Sequence, residues 1–183
     1  MPCVPATQKR VWDPLLRGCH WLLAGAILVA WLTRHGAGWV HEWAGYLVLG
    51  VILLRLVWGW TGPRRARFAD FVRTPRRTLT YACLVLRGRA PRHVGHNPLG
   101  GWMIVALMLV AAAASATGWL FVTQRFWGVE WVEDTHAALA DLLLGLLALH
   151  VAGVLYESLR HRENLVAAMF HGRKRAAAGD DVD

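Results

Sequence analysis

Residues 135–156 read THAALADLLLGLLALHVAGVLY, an apolar run broken only by polar Thr135, His136, Asp141 and His150 before it ends at Tyr156. A run of this length crosses the hydrocarbon layer of a bilayer as one helix. His136 and His150 are fourteen positions apart, about 21 Å along a helix, and their side chains return to within roughly 40° of each other. One face of one helix therefore presents imidazole at two depths. Neutral imidazole is a ligand for haem iron, and an ionisable group inside a membrane marks a functional site by default. A histidine bonded to a core carbonyl fits this stretch equally well, so the other helices decide.

The chain has 183 residues, 56% hydrophobic and only 17% charged. That balance suits a small integral membrane protein better than a soluble domain. Eleven tryptophans agree, because indoles settle where hydrocarbon meets water. Cys3, Cys19 and Cys83 form no CxxC pair and no CxxCH, which excludes covalent c-type haem attachment and a disulfide framework. The first long apolar run starts at Leu15 and is long enough to span, so a cleaved signal is not expected.

Four spans are predicted, at about 15–33, 41–60, 99–122 and 135–159, each with roughly the 20 residues a crossing needs. The link 61–98 is the only connection with room for structure. Within it, Pro75 to Arg87 is a helix candidate opened by Thr74-Pro75 and closed by Gly88. Leu79, Cys83 and Leu86 share one face and arginines cover the rest, which suits a helix lying among headgroups. The reading is all-α: a four-helix transmembrane bundle as a single domain over 1–175, with residues 176–183 expected to form a disordered tail.

Lysines and arginines set the orientation. Three precede or open the first span, nine lie in the link and five in the tail, whereas Arg34 and Arg125 alone occupy the two other loops. The positive-inside rule places both termini and the link in the cytoplasm. The net charge of +8 then faces anionic lipid and needs no nucleic acid. Glu42, Glu130, Glu133 and Asp134 make the outer side locally acidic.

This orientation pairs the histidines by depth. His20 and His150 fall in the inner half, and His41 and His136 at the outer edge. Two bis-histidine sites about 20 Å apart suit a transmembrane electron path through two stacked haems. His35, in the outer loop, competes with His41, but His41 begins the helix and matches the depth of His136. Arg34 follows His20 by fourteen residues, and Arg55 follows His41 by fourteen. Each is a candidate to fork onto a haem propionate, Arg34 outside and Arg55 inside. Arg34 reads equally well as an ordinary loop cation, whereas Arg55 is a lone charge in hydrocarbon and needs a partner.

Gly25, Gly45, Gly145 and Gly153 lie near the histidines, where a flat macrocycle or a neighbouring helix needs short side chains. The tryptophans read as two anchoring belts: Trp12, Trp58, Trp60 and Trp102 inside, with Trp39, Trp43, Trp119, Trp127 and Trp131 outside. His93, His96, His161 and His171 are expected to be solvated or interfacial. No nucleophile set, P-loop or dinucleotide-binding GxGxxG is present.

Several separated segments resemble the bacterial cytochrome b561 family, within the group that includes the b-type cytochrome subunit of nickel–iron hydrogenases. They are VWDPLLRGCHWLLA from Val11, HEWAGYLVLGVILLRLVWGWTGPRRARFADFVR from His41, GHNPLGGWM from Gly95 and LHVAGVLYESLRHRENLVAAMFHGRKR from Leu149. The resemblance covers nearly the whole chain and implies a membrane bundle that holds haem b and exchanges electrons with quinone. It also implies that His20, His41, His136 and His150 are the iron ligands, in agreement with the depth argument. The acidic outer rim suggests a periplasmic c-type cytochrome or another redox subunit as partner. Some members look like superoxide:quinone oxidoreductases, but Arg34, Arg125 and His35 against four acids make a poor funnel for an anion. A non-redox membrane anchor is the third reading.

Overall fold

Helix starts in this chain repeat one device, a capping residue followed by proline. The computed structural model describes residues 8–36 and 38–182, so Cys3 lies outside the described residues. Helix α1 spans Pro14–Thr33, and its Asp13 cap accepts the Leu16 N–H at 3.0 Å. Helix α2 spans Gly38–Thr61. After a 3-10 turn at Arg64–Ala66 come the short helix α3, Phe68–Phe71, and α4, Pro75–Leu86. Helix α5 spans Pro98–Phe121, with Asn97 accepting the Gly100 N–H at 2.7 Å. Proline at the first helical position gives up no N–H that the helix would have bonded.

Helix α6 spans Glu130–His161 and α7 Leu165–His171. The start of α6 lies five residues before the predicted one. Glu130 and Glu133 read as outer-loop acids in the sequence, yet they occupy the first turn, where the helix dipole favours negative charge. Among the described residues, four helices, α1, α2, α5 and α6, are long and apolar enough to cross a membrane.

Contacts divide the chain into two compact units where the sequence suggests one domain. The bundle unit holds residues 18–58 and 104–149, and the polar unit holds 1–17, 59–103 and 150–183.

All four long helices contribute to the core of the bundle unit: Ala26 from α1, Val48 and Ile52 from α2, Ala111 from α5 and Leu143 from α6. Much of the apolar surface points outward, including Leu32, Val57, Leu109 and Leu149, each more than half exposed. Leucines left this open need an apolar solvent. Trp39, Trp43, Trp119, Trp127 and Trp131 are likewise exposed, in keeping with anchoring.

The polar unit contains structure that the sequence reading missed. Strand β1, Gln8–Arg10, pairs antiparallel with β2, Arg173–Arg175. Gly172 ends α7 at φ 78° and accepts the N–H groups of Val11 and Trp12 at 2.8 and 3.2 Å. A side chain there would also collide with the Trp12 carbonyl, so glycine is required twice over.

Trp12 is not an interfacial anchor: it is buried, with its ring 4.5 Å from that of His96. His96 also packs on Phe71 at 4.9 Å, and half-buried His93 packs on Tyr81 at 5.2 Å. Both histidines therefore belong to an aromatic core and not to solvent, and burial pushes the His93 imidazole down from its ordinary range.

The expected disordered tail is instead tied down. Arg92, only 4% exposed, bonds both oxygens of Glu163 at 3.0–3.1 Å, Asp181 at 2.6 Å and the Arg175 carbonyl at 2.7 Å. Val182 exchanges backbone bonds with Arg92 and Val94, and the Lys174 ammonium donates to the His93 carbonyl at 3.2 Å. Burial alone would raise the Glu163 carboxyl, but the Arg175 N–H, Lys174 and Arg92 together hold it below its usual range. Burial pushes Lys174 down to about 8 against the pull of Glu163.

Candidate functional site

His41 sits in the first turn of α2, and His136 two turns into α6. Within the bundle unit their rings face each other with centroids 5.9 Å apart and planes at 79°. Each ring is fixed by a backbone carbonyl on a different helix. The Nδ1 of His41 lies 2.8 Å from the Ala30 oxygen of α1, and that of His136 lies 2.9 Å from the Ala114 oxygen of α5. A carbonyl only accepts, so both rings carry their proton on Nδ1, and each Nε2 keeps its lone pair.

The 5.9 Å separation leaves room for one metal atom bonded to a nitrogen of each ring at the ~2 Å usual for metal–imidazole bonds. The donor set, two imidazoles with carbonyl-anchored Nδ1–H groups, fits a haem iron.

Thr117 and Gly118, absent from the sequence reading, complete the surroundings of His136. The Thr117 hydroxyl lies 3.4 Å from Nδ1 while bonding the Ala113 and Ala114 carbonyls at 2.9 Å. A Cβ on Gly118 would stand 3.0 Å from the imidazole carbon Cε1. The α5 backbone thus approaches this ring as closely as glycine permits. The only trace in the sequence is that Ala113 to Gly118 are all small, a pattern that helix packing in lipid also produces.

The other predicted residues fall as follows. His35 is exposed in the turn after α1, so His41 is the one that faces His136. Arg34 is exposed, with its guanidinium 4.6 Å from the Trp31 ring and donating to the Trp31 carbonyl at 2.9 Å. Arg55 is buried within α2 at 6% exposure. His20, half-buried on α1, meets Trp21 edge-on at 4.9 Å, and His150 is half-buried on α6. His20 and His150 belong to different units.

The family model of prokaryotic cytochrome b561 matches residues 11–172. The chain belongs to this family. It is accordingly a bacterial membrane protein, a helical bundle that binds b-type haem and serves electron transfer. No curated protein and no solved structure matches it.

Proposed function

We propose that this cytochrome b561 is a di-haem electron carrier of the bacterial inner membrane, passing electrons between the quinone pool and a periplasmic or membrane redox partner. The observation that carries the reading is the facing pair His41 and His136, each held by a carbonyl through Nδ1. These two residues would ligate the iron of an outer haem. Haem b, when bound, supplies a one-electron couple. The Ala30 and Ala114 carbonyls fix the tautomer of each imidazole and make Nε2 the stronger donor. Thr117 and Gly118 limit the rotation of His136.

His20 and His150 are proposed as ligands of a second, inner haem on sequence grounds, namely their matching depth and the fourteen-residue repeat of His136 and His150. Arg55 is proposed to meet a propionate of that haem, which would compensate a buried guanidinium in a membrane helix. Arg34, one helix end away and already stacked on Trp31, would serve an outer propionate. Both termini are taken as cytoplasmic from the distribution of arginines. Glu130, Glu133 and Asp134, at the start of α6, offer an acidic surface to a cationic partner such as a c-type cytochrome.

A pyridine haemochrome assay with a reduced-minus-oxidised spectrum on detergent-purified protein tests the reading. Two b haems per chain are expected. One haem removes one of the two ligand pairs, and none, in cells with ample haem, overturns the site.

A further inference from the structure

Helix α4 carries two adjoining faces of different chemistry. Leu79, Cys83 and Leu86 make an apolar strip that is open to the surroundings, with Leu79 67% and Leu86 87% exposed. Beside it, Arg76, Arg77, Thr80 and Leu84 line a groove of about 430 Å³ that closes against Pro91 and Pro98. Tyr81 and Thr74 complete its wall, and no carboxylate is among the lining residues. Arg76 and Arg77 are both exposed, and among the described residues neither side chain forms an ion pair.

The depth of the groove follows from Pro98, the first residue of span α5. A groove walled by the start of a membrane span lies at the level of the headgroups. The leucine strip requires the same depth, because an exposed apolar face beside a basic one belongs in the plane of the interface.

We propose that this groove binds the headgroup of an anionic phospholipid. Arg76 and Arg77 present guanidinium forks to the phosphate, which accepts paired N–H bonds from each. Thr80, whose hydroxyl donates to the Arg76 carbonyl at 3.0 Å, lines the groove beside them, and Leu84 underlies the glycerol and first methylenes. A soluble anion would need the arginines alone. The apolar strip alongside them selects a lipid, whose acyl chains continue where Leu79 and Leu86 enter hydrocarbon. General attraction of a basic loop to an anionic leaflet is spread over all its charges, whereas this site draws its charge from Arg76 and Arg77 at one end of α4.

The test is lipid retention by the full chain extracted from vesicles of equal phosphatidylglycerol and phosphatidylcholine, read by native mass spectrometry. The unaltered protein is expected to keep one phosphatidylglycerol in preference to phosphatidylcholine. R76Q/R77Q is expected to lower that preference roughly 30-fold, on the usual worth of two basic residues at an anionic surface. R87Q/R89Q, which removes equal charge beyond the other end of α4, is expected to leave it intact. Equal losses in both double variants would reveal a diffuse field and overturn the site. Absence of any preference in the unaltered protein would do the same, as would displacement of the lipid by millimolar inorganic phosphate. If R76Q/R77Q loses its far-UV helicity, R77Q against R89Q asks the same question with an expected change of about fivefold.

Discussion

His41 and His136 in the bundle unit each give one ring nitrogen to a backbone carbonyl and keep the other, whereas Arg92 in the polar unit directs all three guanidinium nitrogens to Glu163, Asp181 and the Arg175 carbonyl. Both regions hold polar groups away from water, and elementary solvation demands partners for them in each. Around Arg92 the polar unit satisfies the demand internally. The bundle unit brings two such rings within 5.9 Å of each other and leaves one nitrogen of each without a carbonyl, an arrangement a cofactor site can use. A change in the bundle unit should therefore cost cofactor with little loss of fold, and a change in the polar unit should cost fold with little loss of cofactor.

The largest effect is expected from His136→Leu. One of the two proposed haems is expected to disappear from the haemochrome assay while far-UV helicity persists. Full haem retention would break the comparison, because His136 would then be as structural as Arg92. Its counterpart is Glu163→Ala, which leaves buried Arg92 with Asp181 as its remaining carboxylate and removes the carboxylate 3.7 Å from buried Lys174. Removing one member of a buried ion pair costs on the order of 3 kcal/mol. The thermal midpoint should drop with haem content unchanged. A parallel loss of haem would mean that the two units do not divide cofactor from fold in this way.

How much of this was legible in the sequence follows the same division. Helix length and apolar composition carry the four spans, and the depth that the arginine distribution assigns to each histidine carries the pairing of His41 with His136. These rest on local patterns and on residue type. The partners of Arg92 are 71 and 89 positions away in Glu163 and Asp181, and nothing near Asp181 marks it as an anchor. Residues 176–183, AAAGDDVD, therefore read as a loose tail. Strands Gln8–Arg10 and Arg173–Arg175 consist mainly of charged residues, so they read as solvated ends, although Lys174 is buried beside Glu163. Ala30 and Ala114 act through carbonyls, which every residue has, and no sequence pattern singles them out.

The ionic network of the polar unit also makes its stability depend on pH. Glu163, Asp181 and His93 all have folded pKa values below their ordinary ones. The unfolded chain then takes up protons first as pH falls, so stability decreases through the histidine range and again through the carboxylate range. Lys174, pushed down to about 8, acts in the same direction at higher pH. Between pH 8 and the ordinary lysine range the folded state has released a proton that the unfolded chain still holds, so stability rises there with pH. Thermal midpoints of the unaltered protein at pH 5, 7.5 and 9 should increase in that order, and Lys174→Met should flatten the upper step. A flat profile in the unaltered protein would place Lys174 in water.

The smallest and most specific effect is expected from Gly118→Ala. The added Cβ would meet Cε1 of His136 at 3.0 Å, closer than side chains ordinarily tolerate, so the ring must turn or shift by a few tenths of an ångström. The Nδ1 bond to the Ala114 carbonyl, at 2.9 Å, would lengthen or bend as it did so, and that bond sets the basicity of Nε2. A weaker donor stabilises the oxidised iron less. The midpoint potential of the outer haem should therefore rise, with the other haem unmoved and both still present. Alanine costs a helix less than glycine, so the fold should not suffer. A redox titration resolving two components reads the result directly. Two unmoved potentials would show that the His136 ring yields without strain and that α5 packs against it without steering it.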